Sequence, residues 1–129
     1  MDVETIIMDI SIVVIDDLEF MRIAIREALQ HTDIRILAEG VNGKDAIRLY
    51  EQYKPDILLL DITMPVLDGL SALKMIKSKH NNANVVMCSA LSEEEYILKA
   101  IFLGAKDFIV KPFSKQRLAS CLKRVSETI

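Results

Sequence analysis

The chain has no tryptophan, two cysteines and two histidines in 129 residues. Cys88 and Cys121 lack the spacing of metal ligands, and His31 and His80 are far apart, so a metal site built on sulfur or imidazole is not expected. Both thiols read as small buried hydrophobes. Long apolar runs are missing too. Stretches such as Ile57–Leu60 fall far short of the roughly 20 residues that cross a bilayer. Asp2 and Glu4 stand where a secretory signal would carry basic residues, and the expectation is a cytoplasmic protein. Nor is one sign of charge dominant: the net charge is -3, with Lys and Arg dispersed, which argues against nucleic-acid binding. Internal repeats, low-complexity tracts and linkers are absent. Gly40 to Lys44 lacks the spacing of a phosphate loop.

What the chain does have is 51% hydrophobic and 27% charged residues, enough apolar material for one domain with a core of its own. Short apolar runs alternate with longer stretches of helical period. Ile12–Ile15 is β-branched, as a strand buried on both faces should be. A helix from about Leu18 to Gln30 follows, with Phe20, Ile23, Ala24 and Ala28 on one stripe. Ile34–Ala38 is a second strand. Asn42-Gly43 reads as a turn, before a helix lined by Ala46, Ile47, Tyr50 and Tyr53 that ends before Pro55. Asp56–Leu60 is a third strand. Asp68-Gly69 opens a helix burying Leu70, Leu73 and Ile76, and Met64 and Met75 read as packing residues.

Val85–Cys88 is the fourth strand. Ser92 and Glu95 have capping-box spacing for a helix that stops near Gly104. Phe108–Val110 is the fifth strand, and a last helix from near Ser114 presents Leu118, Cys121, Leu122 and Val125 inward. Five βα units with short, right-handed connections imply an α/β, doubly wound parallel sheet with helices on both faces. Residues 1–10 precede this pattern as an N-terminal extension to a domain of 11–129. They either lengthen the first strand or pack as an added segment.

The polar residues that follow each apolar run carry the chemistry. Ile12–Ile15 ends in Asp16-Asp17, the third run in Asp61, the fourth in Ser89 and the fifth in Lys111-Pro112. In a parallel sheet all these ends share one edge, where open α/β sheets bind ligands. Three carboxylates gathered there repel one another unless a cation neutralises them. A hard ion with oxygen ligands, Mg²⁺ above all, fits that need. A carboxylate could then take a phosphoryl group, with Lys111 and Ser89 on its remaining oxygens.

Taken together, Ile15-Asp16-Asp17, Asp61-Ile62-Thr63-Met64-Pro65-Val66-Leu67-Asp68-Gly69, Ser89-Ala90, Gly104-Ala105-Lys106-Asp107-Phe108 and Lys111-Pro112-Phe113 resemble the receiver domains of two-component response regulators. The resemblance covers about residues 11–127. It implies a flavodoxin-like (CheY-like) sheet in strand order 2-1-3-4-5, and Asp61 as the residue converted to aspartyl phosphate by a sensor histidine kinase or histidine phosphotransfer protein. It also implies Mg²⁺ held by Asp16, Asp17, Asp61 and the carbonyl of Thr63. Asp61, Lys111 and Ser89 would act on the phosphoryl group, Ser89 and Phe108 would form the switch, and the Lys111-Pro112 bond would be cis. Thr63 and Leu91 would flank the mouth, where apolar Leu91 is expected to slow phosphoryl loss.

The output expected from that resemblance is a partner protein or a homodimer docking on the face of the fourth helix, fifth strand and last helix. The protein would be a signalling switch rather than an enzyme, stand-alone in preference to a receiver fragment of a larger regulator. An aspartyl-phosphate hydrolase of the haloacid-dehalogenase kind would have a second Asp where Thr63 stands. In a flavin protein, Asp16-Asp17 would repel the phosphate.

Overall fold

In a computed structural model of the protein, residues 9–129 are described. The elements run β1 (Ile10–Ile15), α1 (Glu19–Ala28), β2 (Ile34–Gly40), α2 (Gly43–Tyr53), β3 (Ile57–Leu60), α3 (Gly69–Lys79), β4 (Val85–Ser89), α4 (Glu94–Phe102), β5 (Asp107–Val110) and α5 (Lys115–Ser126). All strand pairs are parallel, in the order β2-β1-β3-β4-β5. A register irregularity between Ile12 and Val13 marks the pairing of β1 with β2. Ile10 lies in β1, so this part of the 1–10 segment lengthens the first strand; residues 1–8 lie outside the described residues. Among the described residues no helix is long and apolar enough to cross a membrane.

Side-chain alternation along the strands divides the core in two. Val13, Ile15, Leu58, Leu60, Val85, Met87 and Phe108 face α2, α3 and α4, where Ala46, Leu49, Leu73, Ile76 and Ala100 meet them. Ile10, Ile12, Val14, Ile57, Leu59, Val86, Cys88 and Ile109 face α1 and α5, against Ile25, Ala28, Leu118, Cys121, Leu122 and Val125. Apart from Ser11 in β1 and Ser89 at the end of β4, the central strands are therefore apolar, as burial on both faces requires. Truncating Leu59 or Leu73 to Ala would cost about 2–5 kcal/mol.

Helix starts follow side-chain capping in three places. Asn42 accepts from the Asp45 amide, Asp68 from the Ser71 amide and Ser114 from the Arg117 amide. Asn42-Gly43 is thus the start of α2 and not a separate turn. The capping box at Ser92 and Glu95 does not form: Glu93 takes the N-cap position without a side-chain bond. On α1 the inward stripe is shifted from the expected one. Ile25 and Ala28 are buried with Met21 packed beside them, while Phe20 and Ile23 are exposed. The inward choice also lets Arg22 and Arg26 reach Glu39 on β2, at 3.2 and 2.5 Å. Met75 is likewise exposed rather than packed.

Candidate functional site

Backbone rungs at the carboxyl edge of the sheet hold the polar residues in place. The Asp16 amide donates to Gly40, that of Asp61 to Ile15 and that of Lys111 to Ser89, at 3.1, 3.0 and 2.9 Å. Each residue therefore sits at the last hydrogen-bonded step of its strand, and their side chains share one rim. Lys111 Nζ lies 2.5 Å from Asp16 Oδ2 and 3.1 Å from Asp61 Oδ2. The other oxygens are held locally: Asp61 Oδ1 accepts from the Ile62 amide at 2.7 Å, and Asp16 Oδ1 from the Leu18 amide at 3.0 Å. Asp17 joins Asp16 and Asp61, with one carboxylate oxygen from each residue lying within 4.8 Å of the others. The Lys111-Pro112 bond is cis.

The electrostatics of this group are unbalanced. Asp16, Asp61 and Lys111 side chains are only 2, 7 and 8% exposed, and one ammonium faces three carboxyl groups. Burial pushes the Asp61 carboxyl up, with the charge of Asp16 adding to the rise and Lys111 opposing it. Burial works against the Lys111 ammonium as well. The hydrogen bond to Asp16 and the charges of both aspartates outweigh it, so the net shift is upward. An all-oxygen donor set with surplus negative charge fits a hard divalent cation, and the residues present are those such an ion requires.

Ser89 is buried at the end of β4, where its hydroxyl accepts from the Leu91 amide at 3.2 Å. A cleft of about 540 Å³ opens over Asp61, Ser89 and Lys111, with Asp17 and Thr63 also on its wall. Phe108 is turned inward and buried in the core beneath α4. The structure thus brings Asp17, Asp61, Thr63, Ser89 and Lys111 to one cleft, with Asp16 buried beside it against Lys111, and sets Phe108 in the core on the α2–α4 side of the sheet.

Several supporting contacts carry no signal of their own in the sequence. Arg22 donates to the Asp16 carbonyl at 2.6 Å while also reaching Glu39, bracing the acidic end of β1 from α1. Gly69 packs against the backbone of Asp61: a Cβ there would overlap the Asp61 carbonyl oxygen. At Gly43 a Cβ would meet the Leu67 oxygen, to which the Gly43 amide donates at 2.8 Å. The β3–α3 loop is thereby tied to α2. Within it the Leu67 amide returns to Pro65 around Val66, whose φ of 72° is unusual for a β-branched residue.

The profile of the response regulator receiver domain matches residues 12–123. The chain is 42% identical over 118 residues to the chemotaxis protein CheY of Listeria monocytogenes, spanning 92% of this chain and 99% of that one. It is 38% identical over 116 residues to CheY of Thermotoga maritima, spanning 90% and 97%. Among solved structures, the CheX–CheY–BeF3–Mg²⁺ complex from Borrelia burgdorferi matches with a TM-score of 0.83 at 32% identity, covering 92% of this chain and 88% of that one. The response regulator domain of Thermotoga maritima CheB gives 0.84 at 31%, covering 92% and 96%. A strand order of 2-1-3-4-5, an acidic cluster at its carboxyl edge and relatives matched nearly end to end agree, and the chain belongs to the CheY-like receiver domains of two-component response regulators.

Proposed function

We propose that Asp61 accepts a phosphoryl group from a sensor histidine kinase or histidine phosphotransfer protein, and that this changes the surface of α4, β5 and α5. The observation that carries the reading is the buried Asp61–Lys111–Asp16 cluster with Asp17 beside it. An Asp61 oxygen attacks phosphorus, and the donor's P–N bond breaks with its electron pair remaining on nitrogen. Lys111, already within hydrogen-bond reach of Asp61, follows the charge onto the phosphoryl oxygens. Mg²⁺ held by Asp16, Asp17, Asp61 and the Thr63 carbonyl would neutralise the carboxylates and the transferred group. The relative crystallised with CheX, BeF3 and Mg²⁺ supports that composition.

Ser89 is the first side chain to respond. Its hydroxyl lines the same cleft, and rotating to donate to a phosphoryl oxygen gives up the contact with the Leu91 amide. The space it leaves and the inward ring of Phe108 link the site to α4 by packing alone, since Phe108 has no hydroxyl to bond. Leu98, Ile101 and Phe102 of α4 and Val110 of β5 are exposed, and these would meet a partner protein or a second copy of the chain.

The test is Mg²⁺-dependent labelling by acetyl phosphate, read by intact mass, in the parent and in Asp61→Asn. One added phosphoryl group in the parent and none in the variant is expected. Equal labelling of both would overturn the assignment. Sedimentation with and without beryllofluoride then separates self-association from binding of another protein.

A further inference from the structure

In-line phosphoryl transfer places the leaving atom opposite the attacking oxygen. Asp61 attacks from the floor of the cleft, so whatever leaves must lie outward, at its mouth. Much of that mouth is apolar: Leu18 and Phe20 at the start of α1, Leu91 beyond β4 and Pro112 beyond β5 line it, with the exposed Thr63 as a polar neighbour. Phe20 is 65% exposed and Leu18 45%, although the opposite face of α1 already supplies the core with Ile25 and Ala28. An aromatic ring left in water beside a charged site is poorly placed unless something apolar or cationic covers it.

We propose that this rim is a leaving-group subsite with Phe20 as its specificity-determining residue, favouring donors whose phosphoryl group is carried on an imidazole nitrogen. The inference rests on the reading of Asp61 as acceptor. An N-phosphorylated imidazole protonated on its distal nitrogen has a flat, positively charged ring beside its anionic phosphoryl group. It can lie against the Phe20 ring while Leu18, Leu91 and Pro112 exclude water. In the transfer the P–O bond to Asp61 forms and the P–N bond breaks. The electron pair stays on the ring nitrogen, and neutral imidazole departs with the N–H it already had, so no proton has to be moved. The ammonia released from phosphoramidate has no ring to lie against Phe20, which makes that donor the natural reference.

Initial rates of Asp61 phosphorylation by monophosphoimidazole and by phosphoramidate, at saturating Mg²⁺ and read by intact mass, test the subsite. The quantity compared is the ratio of the two rates, in which a general effect of a substitution cancels. In Phe20→Ala the ratio should fall roughly two- to tenfold, the scale of one aromatic contact. Phe20→Leu, which keeps apolar surface and loses the π face, should fall between. An unchanged ratio in Phe20→Ala overturns the subsite while Asp61 stands as acceptor. Failure of both donors to label the parent, or labelling that survives Asp61→Asn, overturns both.

Discussion

Two ionic clusters lie at opposite ends of the sheet, built from similar side chains and set in different surroundings. At the carboxyl edge, Asp16, Asp61 and Lys111 are almost wholly buried. At the other end, Glu51 of α2 meets His80 at 2.6 Å, Lys79 at 3.3 Å and Lys54 at 3.5 Å, with Lys79 71% and Lys54 53% exposed. The two carboxyl groups move in opposite directions. Burial drives Asp61 up, whereas the hydrogen bond with His80, aided by Lys79 and Lys54, takes Glu51 down to about 2. The exposed cluster has more cation than it needs and water to spare. The buried one has too little cation and little contact with solvent, an imbalance that a bound positive ion would relieve.

Removing one cation from each cluster should therefore give unequal results. Lys111→Ala should slow Mg²⁺-dependent labelling by on the order of a hundredfold, as when one preorganised donor is taken from a charged transition state. Mass spectrometry over time reads this, and a rate within a few-fold of the parent would remove Lys111 from the mechanism. Lys79→Ala, at the exposed end, should leave the urea midpoint unmoved.

Stability in chelator tests the same contrast through the acids. Folding favours the protonated form of Asp61, because its carboxyl is raised in the folded state. Its favourable contribution is present below the ordinary value and lost as pH rises through the raised one. At pH 7 the ionised group thus works against the fold, and Asp61→Asn should stabilise the metal-free protein by about 1 kcal/mol. The gain should shrink as pH falls toward 4, and a variant less stable than the parent at pH 7 would contradict the assignment.

Glu51 carries the opposite sign. Its contribution is present above its ordinary value and is lost only as pH falls toward about 2. Glu51→Gln should lower stability slightly at neutral pH, the cluster being exposed, and that difference should vanish as pH falls toward about 2 in a denaturation series.

The fold was legible because nearly every strand position is apolar and nearly every strand ends in a charged or hydroxyl residue. Asp16, Asp17, Asp61, Ser89 and Lys111 could be placed on one edge from the order of runs alone. Side-chain faces were harder to read. Between Leu18 and Leu29 the apolar residues are dense enough for two stripes, and period cannot choose between them. The choice falls to contacts across the sheet, where Arg22 and Arg26 must reach Glu39. The same density of apolar residues puts Phe20 on the expected inward stripe, whereas in the fold it is exposed and lines the cleft. Ser92 and Glu95 had the right spacing for a cap, but spacing does not set the backbone angles that let the cap form. Gly69 read as a helix start, and the crowding against Asp61 behind it needed three dimensions.

The amide of Lys111 donates to the carbonyl of Ser89. The two groups that would grip the transferred phosphorus thus hang from a single rung of the ladder. Neither main chain can shift without carrying the other along or rupturing that rung. Signal transmission would then have to run through torsions about χ1, over a framework that stays put, which limits how far the first movement can travel and makes its direction reproducible from one cycle to the next.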